Sequence, residues 1–180
     1  MSNGEKMPVT PQLLGRLLDE HARPLALLAR QWCDSPEDVV QEAVLRLVQQ
    51  RTPPDNAVLW LYRVVRNLAI SAARRERRRR RREASVARMS QSWFMPSDDD
   101  RLDARAAAQA MQALPVEQRE AIVARIWGGL TFEEVAQVTD CSASAAHRRY
   151  QAGLSALREM LGEPCSEKKT ETRSRKRSDR

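Results

Sequence analysis

Residues 131–161 read TFEEVAQVTDCSASAAHRRYQAGLSALREML. Thr131 and Glu134 have the spacing of a capping box, in which the hydroxyl takes one orphan N–H and the carboxylate returns to the cap residue. Phe132, Val135, Ala136 and Val138 follow as a short apolar face. Thr139-Asp140-Cys141 breaks the period. Ser142 is a natural cap for a second helix from Ala143 to Leu161, and Gly162 stops it. Leu154, Leu157 and Leu161 recur at helical spacing as its buried side. Two helices around a tight turn form a helix-turn-helix pattern, whose second helix offers its N-terminal half to a major groove. Taken alone, the same pattern also fits a plain helical hairpin.

The charge around this stretch is unevenly placed. The chain has 180 residues, with 31 Lys+Arg against 24 Asp+Glu. Residues 11–73 hold seven Arg and seven acids, and residues 104–161 hold six of each. Residues 74–82 hold eight Arg and one Glu. Two neutral modules are thus joined through a strongly basic segment. Such a density of arginine either forms a solvated helix end or binds a polyanion, and beside a helix-turn-helix we favour nucleic acid.

Ahead of the arginines the sequence reads as helices. Thr10-Pro11 is a helix start, with Leu13, Leu14, Leu17 and Leu18 on one stripe. Pro24 interrupts the pattern and is expected to begin a second helix, in which Leu25, Leu28 and Trp32 face inward. Ser35-Pro36-Glu37-Asp38 starts the next helix, with both acids at the positive end of its dipole. Val39, Val40, Ala43, Val44, Leu47 and Val48 form its buried side. Asp38, Gln41, Glu42 and Arg46 lie on another side. Residues 51–56 (RTPPDN) end that helix, and Asp55 or Asn56 caps the following one, which nothing breaks before about Arg82.

Residues 85–100 lack periodicity and read as a flexible linker, with Trp93-Phe94-Met95 expected as an apolar anchor within it. An Ala-rich helix is expected from about Leu102 to Leu114. Pro115 starts another, which Gly128-Gly129 ends. Beyond Gly162 the tail has no apolar content and is expected to be disordered.

Several function classes are excluded. His21 and His147 are the only histidines, and no Ser/His/Asp, Cys/His or glycine-rich phosphate pattern is present. No catalytic residue, metal site or cofactor is therefore expected, and the chain is not read as an enzyme. Cys33, Cys141 and Cys165 suit neither zinc nor a disulfide framework, and the first two are expected to be small buried hydrophobes. No apolar run is long enough to span a membrane, and the N-terminus lacks a signal core. A cytoplasmic location is expected.

Three segments in order carry a resemblance: SPEDVVQEAVLRL (residues 35–47), WLYRVVRNLA (residues 60–69) and ALPVEQREAIVARIWGGLTFEEVAQVTDCSASAAHRRYQAGLSALREML (residues 113–161). Together they resemble a bacterial sigma-70 family sigma factor of the extracytoplasmic-function (ECF) type. The resemblance implies an all-α fold of two small helical domains joined by a flexible linker. It places a region-2-like domain at 11–82, the linker at 83–101, a region-4-like helix-turn-helix domain at 102–162 and a disordered basic tail at 163–180.

The implied function is promoter recognition and transcription initiation, as a dissociable specificity subunit of RNA polymerase. Asp38, Gln41 and Glu42 would dock on core polymerase. Tyr62, Arg63, Arg66 and Asn67 would read the −10 element, and Trp60 is expected to be core instead. Ser144, His147, Arg148, Arg149 and Tyr150 would read the −35 element. Arg74, Arg75, Arg77 and Arg78 would meet phosphates. The implied partners are core RNA polymerase and promoter DNA, with an anti-sigma factor as a further family partner. The chain departs from the family at Ala152, often basic, and at Ser144-Ala145-Ala146, Ile70 and Ala73. From the residues alone, an operator-binding regulator or an Arg-rich RNA-binding protein stays open.

Overall fold

The structure, a computed structural model, describes residues 10–82 and 101–162. Among them all regular structure is helical. The anchor expected at Trp93-Phe94-Met95 and the basic tail lie outside the described residues.

The first module has three helices. Helix α1 spans Pro11–Ala29, capped by Thr10, whose hydroxyl accepts from Leu13 N–H at 3.2 Å. It runs through Pro24 as a single helix, against the expectation of a break there. Proline forfeits one backbone hydrogen bond, but Leu17, Leu25 and Leu28 are all buried on one face of the continuous helix. Burying each such side chain is worth about 1.5–3 kcal/mol, which outweighs the lost bond. Helix α2 spans Pro36–Val48. Val39, Val40, Ala43 and Leu47 are buried, and Asp38, Gln41, Glu42 and Arg46 face solvent. Val48, expected inside, is 52% exposed. It stands about 100° round the helix from buried Leu47, which turns it outward.

Helix α3 spans Ala57–Arg82, with Asn56 Oδ1 accepting from Leu59 N–H at 2.9 Å as its cap. Leu61, Tyr62, Val65 and Ala69 are its buried residues. The prediction for the aromatic pair is reversed: Tyr62 is fully buried and Trp60 only half-buried. Tyr62 shares its face with Val65 and Ala69, three and seven residues on, whereas Trp60 does not.

The second module begins with α4, Arg101–Ala113, then α5, Val116–Ile122. Helix α5 passes into a π-helical turn over Val123–Trp127, closed by Gly128 N–H to Val123 C=O at 3.0 Å. Arg125 clamps the following turn by donating to Leu130 C=O at 2.7 Å and lying 5.1 Å over the Phe132 ring.

Helix α6, Phe132–Thr139, and α7, Ala143–Leu161, form the helix-turn-helix. Both bonds of the Thr131–Glu134 capping box are present. Asp140 ends α6 in the left-handed region at φ 52°, and Ser142 Oγ accepts from Ala145 N–H at 3.2 Å. Cys141, like Cys33, is half-buried rather than core. Gly153 lets α7 approach α5, since an added Cβ would meet Ile122 Cδ1 at 2.7 Å. Leu161, expected inside, is 45% exposed because it is the last helical residue before the Gly162 cap and no later turn covers it.

The two modules are not merely tethered. Helix α3 packs on α6, and α1 packs on the π-helical turn. Buried residues of both modules belong to a single apolar cluster.

Candidate nucleic-acid interface

Helix α7 shows one outward row. Ser144, Arg148 and Gln151 are exposed and lie four and three residues apart, so they share a face. Ser144 Oγ is 3.1 Å from Ser142 Oγ, which holds it at the helix entrance. His147 is exposed but steadied edge-on against the Phe132 ring, centroids 4.9 Å apart. Arg149 and Tyr150 are half-buried, and the Tyr150 ring packs against Phe132 at 5.5 Å. Ser144, His147 and Arg148 thus form the free edge, with Tyr150 holding the helix to its neighbour. Gln151 was not among the expected site residues. Its signal was its place seven residues beyond Ser144, on the same face.

Helix α3 carries the second cluster. Arg63 and Asn67 are exposed, one turn apart. Arg74, Arg75, Arg77 and Arg78 are exposed along the same helix further on. Arg79 and Arg80 fold back on Glu76 at 2.9 and 2.8 Å, and Arg80 also reaches Asp34 at 3.3 Å. These last pairs are on the surface and contribute little to stability.

Tyr62 and Arg66 occupy a different side of α3, which the second module covers. Arg66 donates from Nε to Glu120 Oε1 at 2.7 Å and from Nη2 to Glu120 Oε2 at 3.2 Å. Trp32 Nε1 donates to the same Glu120 Oε1 at 2.7 Å. The Arg66 side chain is 12% exposed and that of Glu120 is 1% exposed. Asp140 stands 3.5 Å from Arg66, and Asn56 Nδ2 donates to Glu134 Oε1 at 3.2 Å. Three carboxylates of the second module therefore meet the first.

Glu120 is not among the site residues expected from sequence, and Trp32 is expected there only to face inward. The available signal was Glu120 at apolar spacing from Val116 and Val123, where a carboxylate needs a cation.

The Tyr62 hydroxyl has no hydrogen-bond partner among the described residues, and burial pushes its pKa well above the ordinary phenol value. Its neutral form is favoured on folding. That stability is fully present below the ordinary pKa of about 10 and is lost as pH rises beyond it. Tyr62→Phe is therefore expected to gain about 1 kcal/mol at neutral pH, with the advantage widening above about pH 10. Urea unfolding at pH 7 and at alkaline pH checks this, and a less stable variant at neutral pH would overturn it.

Helix α2 presents the remaining candidates. Asp38, Gln41 and Glu42 are exposed, and Glu42 accepts from Arg46 Nε at 2.8 Å. Among the described residues no cluster of His, Cys, Asp and Glu is arranged to hold a metal ion.

Comparisons with known proteins follow this division. A model of sigma-70 region 2 matches residues 17–79, and one of sigma-70 region 4 matches residues 104–157. RNA polymerase sigma factor CarQ of Myxococcus xanthus is 30% identical over 130 residues, which is 71% of this chain and 75% of the relative. ECF RNA polymerase sigma factor EcfG of Rhodopseudomonas palustris is 28% identical over 161 residues, 86% of this chain and 88% of that one. Among solved structures, the sigma factor RpoE in complex with the anti-sigma factor NepR, from Bartonella quintana, aligns with a TM-score of 0.67 at 23% identity. That alignment covers 84% of this chain and 95% of the other. CnrH in complex with the cytosolic domain of CnrY aligns at 0.57 and 22% identity, covering 85% of this chain and 90% of the other. At these identities the structural likeness speaks to the fold.

Proposed function

The chain belongs to the sigma-70 family, as a sigma factor of the ECF type, and from that premise we propose how its surfaces divide the work. Sigma factors are DNA-recognition subunits of RNA polymerase and are not themselves enzymes. This one serves promoter recognition and transcription initiation as a dissociable subunit.

One observation carries the reading from a DNA-binding protein to a polymerase subunit. The helix-turn-helix shares its chain with α2, whose inner face is locked in the core while Asp38, Gln41 and Glu42 stay exposed. An operator-binding regulator has no use for such a face. We assign it to core polymerase, and the row Ser144, His147, Arg148 to the −35 duplex. Arg149 and Tyr150 back that row, and Gln151 joins it. Arg63 and Asn67, exposed, go to the −10 element, and Arg66 and Tyr62, covered by the second module, join them only when the modules part. Arg74, Arg75, Arg77 and Arg78 go to flanking phosphates. The working boundaries of the two modules are residues 11–82 and 102–162, with the linker between them.

We assign an anti-sigma factor as a further partner of these surfaces, the kind of partner with which the structural neighbour RpoE was solved. Among the described residues no helix is long and apolar enough to cross a membrane. We assign the protein to the cytoplasm, because its proposed work is that of a polymerase subunit.

Run-off transcription with core polymerase on a genomic fragment library tests the function: discrete start sites that require this chain are expected, and none would refute it. On a promoter found that way, Arg148→Ala is expected to weaken holoenzyme binding about tenfold, the loss of one base-edge contact. Core binding should not change. A gel-shift titration giving equal promoter affinity would remove Arg148 from the site.

A further inference from the structure

We propose that Trp32 and Arg66 form an anion site on the first module. Its external ligand is a backbone phosphate of single-stranded DNA, and the Glu120 carboxylate fills it when the modules are closed. The inference rests on the function proposed above and extends it to a residue, Trp32, and a competition that the family assignment does not supply.

Three N–H donors converge on one carboxylate. Arg66 approaches it edge-on from Nε and Nη2, at 2.7 and 3.2 Å, and Trp32 Nε1 adds a third bond at 2.7 Å. The Arg66 guanidinium also lies over the Trp32 ring, 5.9 Å from its centroid. A forked guanidinium with an added donor suits a phosphate as well as a carboxylate, because each offers adjacent anionic oxygens.

The surroundings favour a polyanion over an isolated acid. Arg63 precedes Arg66 by one turn on the exposed side of α3, and the exposed arginines from Arg74 onward continue the same helix. A nucleic-acid strand drawn along α3 by those charges passes the Arg66 site. What the second module sets against it is acidic: Glu120 in the site, Asp140 at 3.5 Å on its rim and Glu134 on Asn56.

A buried ion pair of this kind adds little net stability, since desolvation offsets the attraction, but it holds one arrangement against others. Exchange is therefore feasible: when the modules part, Glu120 regains water and a phosphate takes its place on Arg66 and Trp32. Closure and strand binding then exclude each other at a single set of donors, and each weakens the other by the same factor.

The test uses the full chain and a fluorescein-labelled oligothymidylate of about 20 nucleotides, which reports phosphate binding without a promoter sequence. Glu120→Gln should enlarge the radius of gyration in X-ray scattering and tighten oligothymidylate binding about tenfold. Adding Arg66→Gln should abolish that gain and make the log–log salt dependence shallower by about 0.7, one phosphate fewer. Adding Trp32→Phe instead should remove part of the gain with an unchanged salt slope.

An enlarged radius with unchanged affinity would overturn the proposal, as would a gain that survives both second substitutions. Asp140→Asn repeats the test at an exposed rim position that cannot disturb the core. About a twofold tightening is expected there, and none would overturn the proposal. Oligothymidylate binding needs no polymerase. A chain that shows this competition yet never supports run-off transcription refutes the proposed function and not the site.

Discussion

Asp38→Arg is expected to weaken binding to core RNA polymerase about a hundredfold, close to 2.7 kcal/mol, while the chain stays folded. Asp38 stands in the first turn of α2, exposed, next to Val39 and Val40 on the buried side. Its acidic neighbours are engaged: Glu37 accepts from Arg30 at 2.7 Å and Glu42 from Arg46 at 2.8 Å. Asp38 is thus the carboxylate of this face most available to an outside partner. Reversing its charge replaces an attraction with a repulsion inside an interface, where like charges cost several kcal/mol. Within the chain the same change forfeits the favourable dipole interaction of an acid at a helix start and sets a cation there instead, together about 0.6–2 kcal/mol. Titration of core polymerase with the variant, beside a urea melt, separates the two effects. Wild-type affinity would show that α2 is not the docking helix.

Gly128→Val should cost about 3 kcal/mol of stability, at the upper end for overpacking a buried site. A Cβ on Gly128 would lie 2.5 Å from the Ala124 carbonyl oxygen and 2.9 Å from Tyr62 Oη. Neither can give way easily: one is backbone of the π-helical turn, and the other is a rigid, fully buried ring of the first module that faces the second. The contact is also between modules, so strain there acts on their closure. Denaturant unfolding measures the loss, and X-ray scattering should show a more open chain. A variant as stable and compact as the parent would mean that Tyr62 does not pack on this turn in solution.

The local architecture is largely legible in the sequence. The Thr131–Glu134 box, the Ser142 and Asn56 caps and the Gly162 stop are contacts between residues three or four apart, or properties of single residues. Helix α3 running through its arginines to Arg82 followed from the absence of any breaker. Pro24 misled because its local cost was visible and the burial on both sides of it was not. Val48 and Leu161 misled because periodicity marks a stripe without saying where a neighbouring helix stops covering it.

Within the candidate site the division is the same. Ser144, His147 and Arg148 could be chosen from their place at the start of the recognition helix, and they are exposed there. Tyr62 and Arg66 could be chosen too, yet nothing local revealed that the second module covers them.

Periodicity and caps carry the helices and their order, because each depends on neighbours within about a turn, and three segments read in sequence order carry the resemblance to the family. The pairing of Trp32 and Arg66 with Glu120 spans 88 and 54 residues. No pattern along the chain encodes such a meeting. It arises when two amphipathic modules bury what remains of their apolar faces together, and a carboxylate carried into that contact must find its cation there.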